Sequence, residues 1–328
     1  MNAWIESIMK MAYKTPLPII SYPAARRLGI SIADMTEKPL VQAEAMLYVA
    51  DQLGTPALMT SMDLALEASC FGAAVDHSGV PAVKKPILPE IEDAEKLEIP
   101  SEAQIRDKSP YLEAIRLVKE KMAANGDTRP VIAGISGPFS LAGQLRGMTD
   151  IMMDCYDEPD LLAALTEKLT VFLSLYAKML KEAGADGLLI AEPLAGVISP
   201  SMAGEFSHPY VKSLIDGVQD ESFAVIYHNC GAGVMRMLPD LADLGAKAYH
   251  FGNAVSMEEI LPQMPQDVLI MGNIDPAGIM AHGSREAVRK AVDDLQQRCM
   301  AYNNFWLSTG CDVPPDAPWE NLQEFMHC

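Results

Sequence analysis

His228 and Cys230 stand two residues apart in Tyr227-His228-Asn229-Cys230-Gly231, directly after the apolar run Phe223-Ala224-Val225-Ile226. Such a run reads as a buried strand. At an extended strand end, residues two apart point the same way. Gly231 then frees the backbone to turn. An imidazole and a thiolate together suit zinc, at about 2.0–2.1 Å and about 2.3 Å. Two ligands do not complete a site, and the best third candidate is Cys311, in Trp306-Leu307-Ser308-Thr309-Gly310-Cys311-Asp312, a second apolar run that closes in a Gly-Cys turn. Three protein ligands leave one coordination position open, as in catalytic rather than structural zinc sites. The plainer reading of each residue is an ordinary strand-end side chain. Their shared setting is what favours a metal.

That setting requires elements that bring distant strand ends together. Apolar runs at 18–23, 56–63, 130–138, 187–193, 223–230, 246–253, 268–275 and 304–311 read as eight short strands. They are nearly continuous in apolar residues, as expected when both faces are buried. Helical patterns lie between them at 39–53, 109–124, 157–183, 201–216, 234–244, 256–264 and 284–302. Leu40, Ala43, Met46, Leu47 and Ala50 share one face of the first. Ser201 is a fair N-cap, Gly245 closes the helix before it, and Ser256 with Glu259 forms a capping box. Residues 64–125 exceed one crossover helix. With Pro81, Pro86, Pro89 and Pro100, an acidic run and one terminal helix, they read as an inserted excursion after strand two, covering part of one face. Eight strands alternating with helices predict an α/β fold, a closed (β/α)₈ TIM barrel in one domain over 1–328. An open doubly wound sheet accounts for the even spacing less well. In a barrel the C-terminal strand ends form one rim, where active sites sit. His228, Cys230 and Cys311 share that rim with Asp63, Ser136, Glu192, Asn253, Asn273 and Asp275.

Composition narrows the partners. The net charge is −19 over 328 residues, which argues against nucleic acid or an anionic membrane surface. No apolar stretch reaches the length of a membrane helix. The start Met1-Asn2-Ala3-Trp4-Ile5-Glu6 carries an early acid, unlike a signal peptide. Six Cys are too few for a disulfide framework. Cys70, Cys155 and Cys299 read as small buried hydrophobes, and Cys328 as incidental. Together these features suit a reducing cytoplasm. His250 reads as a packed barrel residue. His77, His208, His282 and His327 carry no spacing signal, and most of the 21 Met read as core filling.

Several motifs are familiar together. The stretch from Asp63 through Glu67 and Ala68 to Cys70-Phe71-Gly72, the run Gly134-Ile135-Ser136-Gly137-Pro138, Glu192-Pro193-Leu194-Ala195-Gly196, His228-Asn229-Cys230-Gly231 and Gly272-Asn273-Ile274-Asp275-Pro276 resemble the uroporphyrinogen decarboxylase superfamily over nearly the whole chain. Within it, a His-x-Cys with a distant Cys resembles the corrinoid-dependent methyltransferase branch. The resemblance implies the same barrel, with zinc on His228, Cys230 and Cys311. It implies a methyl group carried by methylcobalamin or another corrinoid, often on a small carrier protein, and passed to a small-molecule acceptor. That acceptor would be a thiol such as coenzyme M, or a related compound such as tetrahydrofolate. Asp63 and Glu192 would orient substrate or corrinoid as catalytic residues, with Ser136, Asn253, Asn273 and Asp275 in cofactor binding. For the last three the plainer reading is turn chemistry, and for Asp63 and Glu192 a helix cap or loop acid.

The decarboxylase branch is the rival. It resembles this chain at Asp63, matching an aspartate that contacts the porphyrinogen pyrroles. Its Arg-Gln-x-Gly-Arg-Tyr signature has no counterpart in Tyr22-Pro23-Ala24-Ala25-Arg26-Arg27-Leu28. That branch also leaves the two thiols unexplained. A third reading is a non-catalytic barrel that binds zinc or a corrinoid partner. Some related zinc methyltransferases supply a Glu one strand after the His-x-Cys, where this chain has Phe251-Gly252-Asn253. The fourth ligand is thereby left open between water, Glu192 and the incoming thiol.

Overall fold

The computed structural model describes residues 3–11 and 13–327. Cys328 and the first two residues of the N-terminal stretch lie outside that range. Among the described residues nine strands form: β1 Leu58–Met59, β2 Val75–Asp76, β3 Ala82–Val83, β4 Val131–Ser136, β5 Gly187–Ala191, β6 Ala224–Asn229, β7 Ala248–Phe251, β8 Leu269–Ile274 and β9 Phe305–Thr309. β2 and β3 make a separate antiparallel hairpin. The other seven pair in parallel in the order β1-β4-β5-β6-β7-β8-β9. Each step between neighbours runs through helix or turn, so the sheet is an α/β one.

The sheet curls. Met59, Ile132, Leu189, Ala191, Ala224, Ile226, Ala248, Leu269, Met271 and Trp306, at least one from each of the seven strands, meet in a single inner cluster. A flat sheet cannot bring residues of β1 and β9 into one cluster, whereas a curled one must. Ile5 and Ile8 of the helix Ala3–Met9 join this cluster. Trp4 lies against Trp306 with ring centroids 5.9 Å apart, and Trp306 donates its indole N–H to the Thr15 carbonyl at 2.8 Å. The opposite faces of the strands pack on the surrounding helices in a second, larger cluster.

The expected first strand does not pair as one. Residues 17–21 run extended beside β9: Leu17 N–H donates to the Leu307 carbonyl at 3.0 Å, Ile19 N–H to Thr309 Oγ1 at 3.1 Å, and Val313 N–H to the Ile19 carbonyl at 3.0 Å. Of the alternate positions, whose N–H groups would face β1, Pro16 and Pro18 have no donor, so a ladder on that side would lack two of its bonds. The paired sheet therefore has seven strands instead of eight.

Elsewhere the helices depart from expectation in local ways. Pro39–Leu53 forms as expected, but Leu40 is 53% exposed, and Gln42, Ala45 and Val49 share the buried face with Ala43, Met46 and Ala50. The predicted 201–216 helix is two helices, Pro200–Phe206 and His208–Val218. Pro209 cannot donate to the turn before it, so the helix restarts with proline in its first turn. The cap of the first is Ser199, which accepts from Met202 N–H at 3.2 Å, and not Ser201. Ser256 makes no cap to the helix Met257–Ile260, and its hydroxyl turns to Glu258 instead. Residues 64–109 carry the short helices Leu66–Cys70 and Glu102–Lys108, the β2–β3 hairpin and a 3₁₀ segment, Ile91–Lys96. The helix Pro110–Asn125 that follows packs along Pro39–Leu53 as part of the outer ring.

Candidate metal centre

β6 carries His228 to its C-terminal end, with Cys230 one residue past the last strand position. Cys311 follows β9 by the same kind of short step. Two strands separate β6 from β9, yet the curl brings His228 Nε2 within 3.6 Å of Cys311 Sγ. One ligand atom from each of His228, Cys230 and Cys311 lies within 4.8 Å of the others. His228 is 2% exposed, whereas the two thiols are half-buried. The site is thus walled by protein on the imidazole side and open on the sulfur side.

The donor set fits zinc. Bond lengths of about 2.3 Å to sulfur and about 2.05 Å to nitrogen, at a tetrahedral angle, put the two atoms about 3.6 Å apart. That is the spacing of Cys311 Sγ and His228 Nε2. The thiols already share a proton unequally. Hydrogen bonding from Cys311 and then from His228 draws the Cys230 thiol well down toward the thiolate. The pairing with Cys230, and burial, push Cys311 up. A cation held by both sulfurs would take the place of the thiol proton.

A second layer orients the imidazole. His228 and His250 are register partners on β6 and β7. Their Nδ1 atoms are 2.8 Å apart, and His250 Nε2 is 2.9 Å from Ser308 Oγ on β9. Burial, with the adjacent His228, holds His250 well below the usual imidazole range, so it is neutral. A neutral His250 that donates Nε2–H to Ser308 accepts at Nδ1 from the Nδ1–H of His228. That tautomer leaves the lone pair of His228 on Nε2, facing the two sulfurs. Sequence reasoning gave His250 no role beyond packing. The signal was its place opposite His228 once the two strands are aligned.

The backbone around the thiols is crowded, and glycine makes it possible. A Cβ on Gly252 would meet the Cys230 Cα at 2.6 Å, and one on Gly231 would meet the Gly196 Cα at 2.7 Å. The Cys230 turn therefore lies directly on the chain after β5 and after β7.

Beside the sulfurs lies a cavity of about 340 Å³. Its walls are Ile19, Tyr22, Met62, Leu64, Val80, Ala191, Pro193, His228, Cys230, Cys311, Asp312, Val313, Pro314 and Pro315. Besides the three candidate ligands, only Tyr22 and Asp312 bring polar side chains. Burial pushes the Asp312 carboxyl up to about 8, against the pull of the Ser21 hydroxyl.

The other predicted residues lie elsewhere. Glu192 is fully buried and its carboxylate accepts from the N–H of Phe139 at 3.1 Å, the N–H of Ser140 at 2.7 Å and the Ser140 hydroxyl. It caps the helix Pro138–Arg146 from outside and is not in the cavity wall. Asp63 accepts from Ala65 N–H at 3.1 Å and the Tyr111 hydroxyl at 3.2 Å. It lines a different cavity, with His77, Asp107 and Lys108. Asn273 donates to the Gly252 and Val255 carbonyls at 2.9 and 2.7 Å. Asp275 caps its own turn through Ala277 and Gly278 N–H, both at 2.9 Å. Those two and Asn253 border a third cavity with Arg298. The Ser136 N–H donates to Glu67, and its buried hydroxyl has no partner. Glu192, with its carboxylate engaged at the helix start, is not among the residues that converge with the two thiols.

Known proteins share this fold and are similar in sequence along most of the chain. The profile of the family described as uroporphyrinogen decarboxylase (URO-D) matches residues 18–328. The methylcobamide:CoM methyltransferase MtbA of Methanosarcina acetivorans is 28% identical over 296 residues, 87% of this chain and 84% of the relative. The uroporphyrinogen decarboxylase of Geotalea daltonii is 28% identical over 311 residues, 92% of this chain and 88% of the relative. A solved structure, a methyltransferase from Methanosarcina mazei, superposes with a TM-score of 0.85 at 20% identity, covering 99% of this chain and 97% of that one.

Proposed function

The chain belongs to the uroporphyrinogen decarboxylase family, and from that premise we propose that it is a zinc-dependent methyltransferase. It moves a methyl group from a methylated corrinoid, either methylcobalamin or a corrinoid on a small carrier protein, to a thiol such as coenzyme M or a related acceptor such as tetrahydrofolate. The observation that carries this reading is the convergence of His228, Cys230 and Cys311 within 4.8 Å at the end of a curled parallel sheet. Similarity to the methylcobamide:CoM methyltransferase of Methanosarcina acetivorans supports it. Bound zinc would supply the Lewis acidity that keeps an acceptor thiol ionised at neutral pH.

The protein's own residues do the rest. His228, Cys230 and Cys311 are the ligands, and His250 with Ser308 fixes the His228 tautomer. The apolar walls from Ile19, Met62, Val80 and Val313 exclude water and leave a sulfur nucleophile poorly solvated. In the transfer the new S–C bond forms as the Co–C bond breaks, the electron pair stays on cobalt, and the thiol proton leaves to solvent. Leu64 and Val80 belong to the cavity wall, which supports segment 64–109 as a partial cover over the C-terminal rim of a single domain. Among the described residues no helix is long and apolar enough to cross a membrane.

The rival decarboxylase reading needs Asp63 at the substrate and cations for several carboxylates. Here the Asp63 carboxylate is engaged by Tyr111 and Ala65, and neither lysine nor arginine lines the cavity at Cys311. The test is spectroscopic. Freshly purified protein is expected to hold zinc, and the visible band of methylcobalamin to decay only with both protein and acceptor present. If metal-free Cys311→Ala protein transfers methyl groups as fast as the parent, or if uroporphyrinogen is consumed instead, the reading is wrong.

A further inference from the structure

Asn229, the last residue of β6, stands between His228 and Cys230 and is fully buried. Ile226 packs in the inner cluster and Tyr227 in the outer one, so by strand alternation His228 faces in and Asn229 faces out. The Asn229 amide makes three hydrogen bonds. Oδ1 accepts from Gly231 N–H at 2.9 Å, and Nδ2 donates to the Glu192 carbonyl at 2.7 Å and to the Tyr227 hydroxyl at 3.2 Å. Glu192 N–H in turn donates to the His228 carbonyl at 2.9 Å. Both amide donors are used, and the oxygen faces a donor, so the orientation of the amide is fixed.

These bonds bracket Cys230. An Asn side chain that accepts from the N–H two residues on closes a turn around the residue between them. The backbone there supplies little rigidity of its own, because Gly231 and Gly233 both press on Gly196, and glycine restricts the chain least. A Cβ on Gly196 would collide with Asn229 Oδ1, so the amide occupies the space that a side chain there would take. Cys311 is set differently. Gly310 before it donates its own backbone N–H to the Ile274 carbonyl of β8 at 2.6 Å. We infer that Asn229 is a positioning residue, which aims the Cys230 sulfur at His228 and Cys311. Without its amide the centre keeps the imidazole and Cys311 but loses Cys230. The inference rests on the metal-centre reading given above and adds to it a residue that is not itself a ligand.

The experiment loads the parent, Asn229→Ala and Asn229→Ser with cobalt(II), whose sulfur-to-metal charge-transfer band grows with each bound thiolate. At saturating cobalt, Asn229→Ala is expected to lose the share of one thiolate. Its zinc affinity, read by competition with a chelating dye, is expected to fall about 10- to 100-fold. The hydroxyl of Asn229→Ser can still accept from Gly231 N–H but cannot supply both bonds to Glu192 and Tyr227. Its band is expected to lie between those of the other two proteins, with zinc affinity down about three- to tenfold.

A parent band in saturated Asn229→Ala overturns the inference, whatever the affinity does, since the sulfur then reaches the metal unaided. A lower denaturant midpoint of the metal-free variant beside an unaltered band is that same outcome, and marks the amide as merely structural. If Asn229→Ala does not fold, Asn229→Ser decides alone, and a parent band there overturns the inference. Failure of the parent to take up cobalt or zinc speaks against the functional reading only. In that case the metal-free proteins are titrated with phenylarsine oxide, which bridges two converging thiols, and the adduct is read by intact mass. The variant is expected to bind it about tenfold more weakly than the parent, and equal binding overturns the positioning role.

Discussion

At the scale of single residues, the imidazole of His228 can serve as a ligand only if its free lone pair sits on Nε2. Its neighbour His250 decides this, through a contact of 2.8 Å on one side and Ser308 at 2.9 Å on the other. Replacing His250 with Phe keeps bulk in the barrel interior but removes the acceptor. The expected result is a loss of zinc affinity of about 10- to 100-fold with an unchanged far-ultraviolet spectrum, measured by competition with a chelating dye. Unchanged affinity would mean that the His228 tautomer needs no partner beyond the His250 carbonyl, which lies 3.2 Å from the same nitrogen. The convergence of His228, Cys230 and Cys311 was legible in the sequence because its signal is local, being a residue type, a spacing of two and a strand ending in glycine. The surroundings of Asp63 and Glu192 were not. A carboxylate at a strand end reads the same whether it faces a cavity or turns sideways to a helix N-terminus, and the choice depends on neighbours some 50 residues away in sequence, such as Ser140 for Glu192.

At the scale of elements, the centre depends on loops that touch backbone to backbone. The turn after Cys230 presses on the chain after β5, so a Cβ on Gly231 would stand 2.8 Å from the Gly196 carbonyl oxygen and 2.7 Å from its Cα. Neither atom can swing aside as a flexible side chain could. Gly231→Ala is expected to cost about 2–3 kcal/mol of stability and to weaken zinc binding at the same time, by denaturant titration with and without metal. A wild-type midpoint in that variant would show that the loop after β5 moves freely. The strand pattern was legible because continuous apolar runs report strands buried on both faces. The missing eighth ladder was also written in the chain, as Pro16 and Pro18, but only the direction of each N–H shows that the prolines face β1. The break at Pro209 and the idle Ser256 are the same kind of case. Each is a local rule overruled by the path of the backbone.

Across the whole molecule, burial of carboxyl groups predicts how stability follows pH. Glu67 is 1% exposed, accepts from Ser136 N–H at 3.1 Å through one oxygen and has no partner for the other. Burial pushes its carboxyl up to about 8, and that of Glu192 up to about 7. Each group favours folding in its protonated form. Its contribution is complete below the unfolded value of about 4.3 and disappears as pH rises through the folded value, at roughly 1.4 kcal/mol per unit. Asp312, pushed up to about 8, acts in the same sense. His208 and His250 act oppositely: burial holds both below the ordinary imidazole value, so they favour folding more as pH rises toward about 6.5 and add nothing further beyond it. At pH 5–6.5 the three raised acids outweigh the two lowered imidazoles, and between pH 6.5 and 8.5 the acids act against Cys230, whose thiol its neighbours hold low. On these groups, metal-free protein is therefore expected to lose stability as pH rises from about 5, and to go on losing it between pH 6.5 and 8.5. Glu67→Gln keeps the shape and removes the ionisation, so its denaturant midpoint is expected to fall less steeply over that alkaline range and to exceed the wild type at pH 8.5. If the two proteins follow parallel curves from pH 6.5 to 8.5, Glu67 is already ionised in the native state, and the alkaline loss has to come from Glu192 and Asp312 alone.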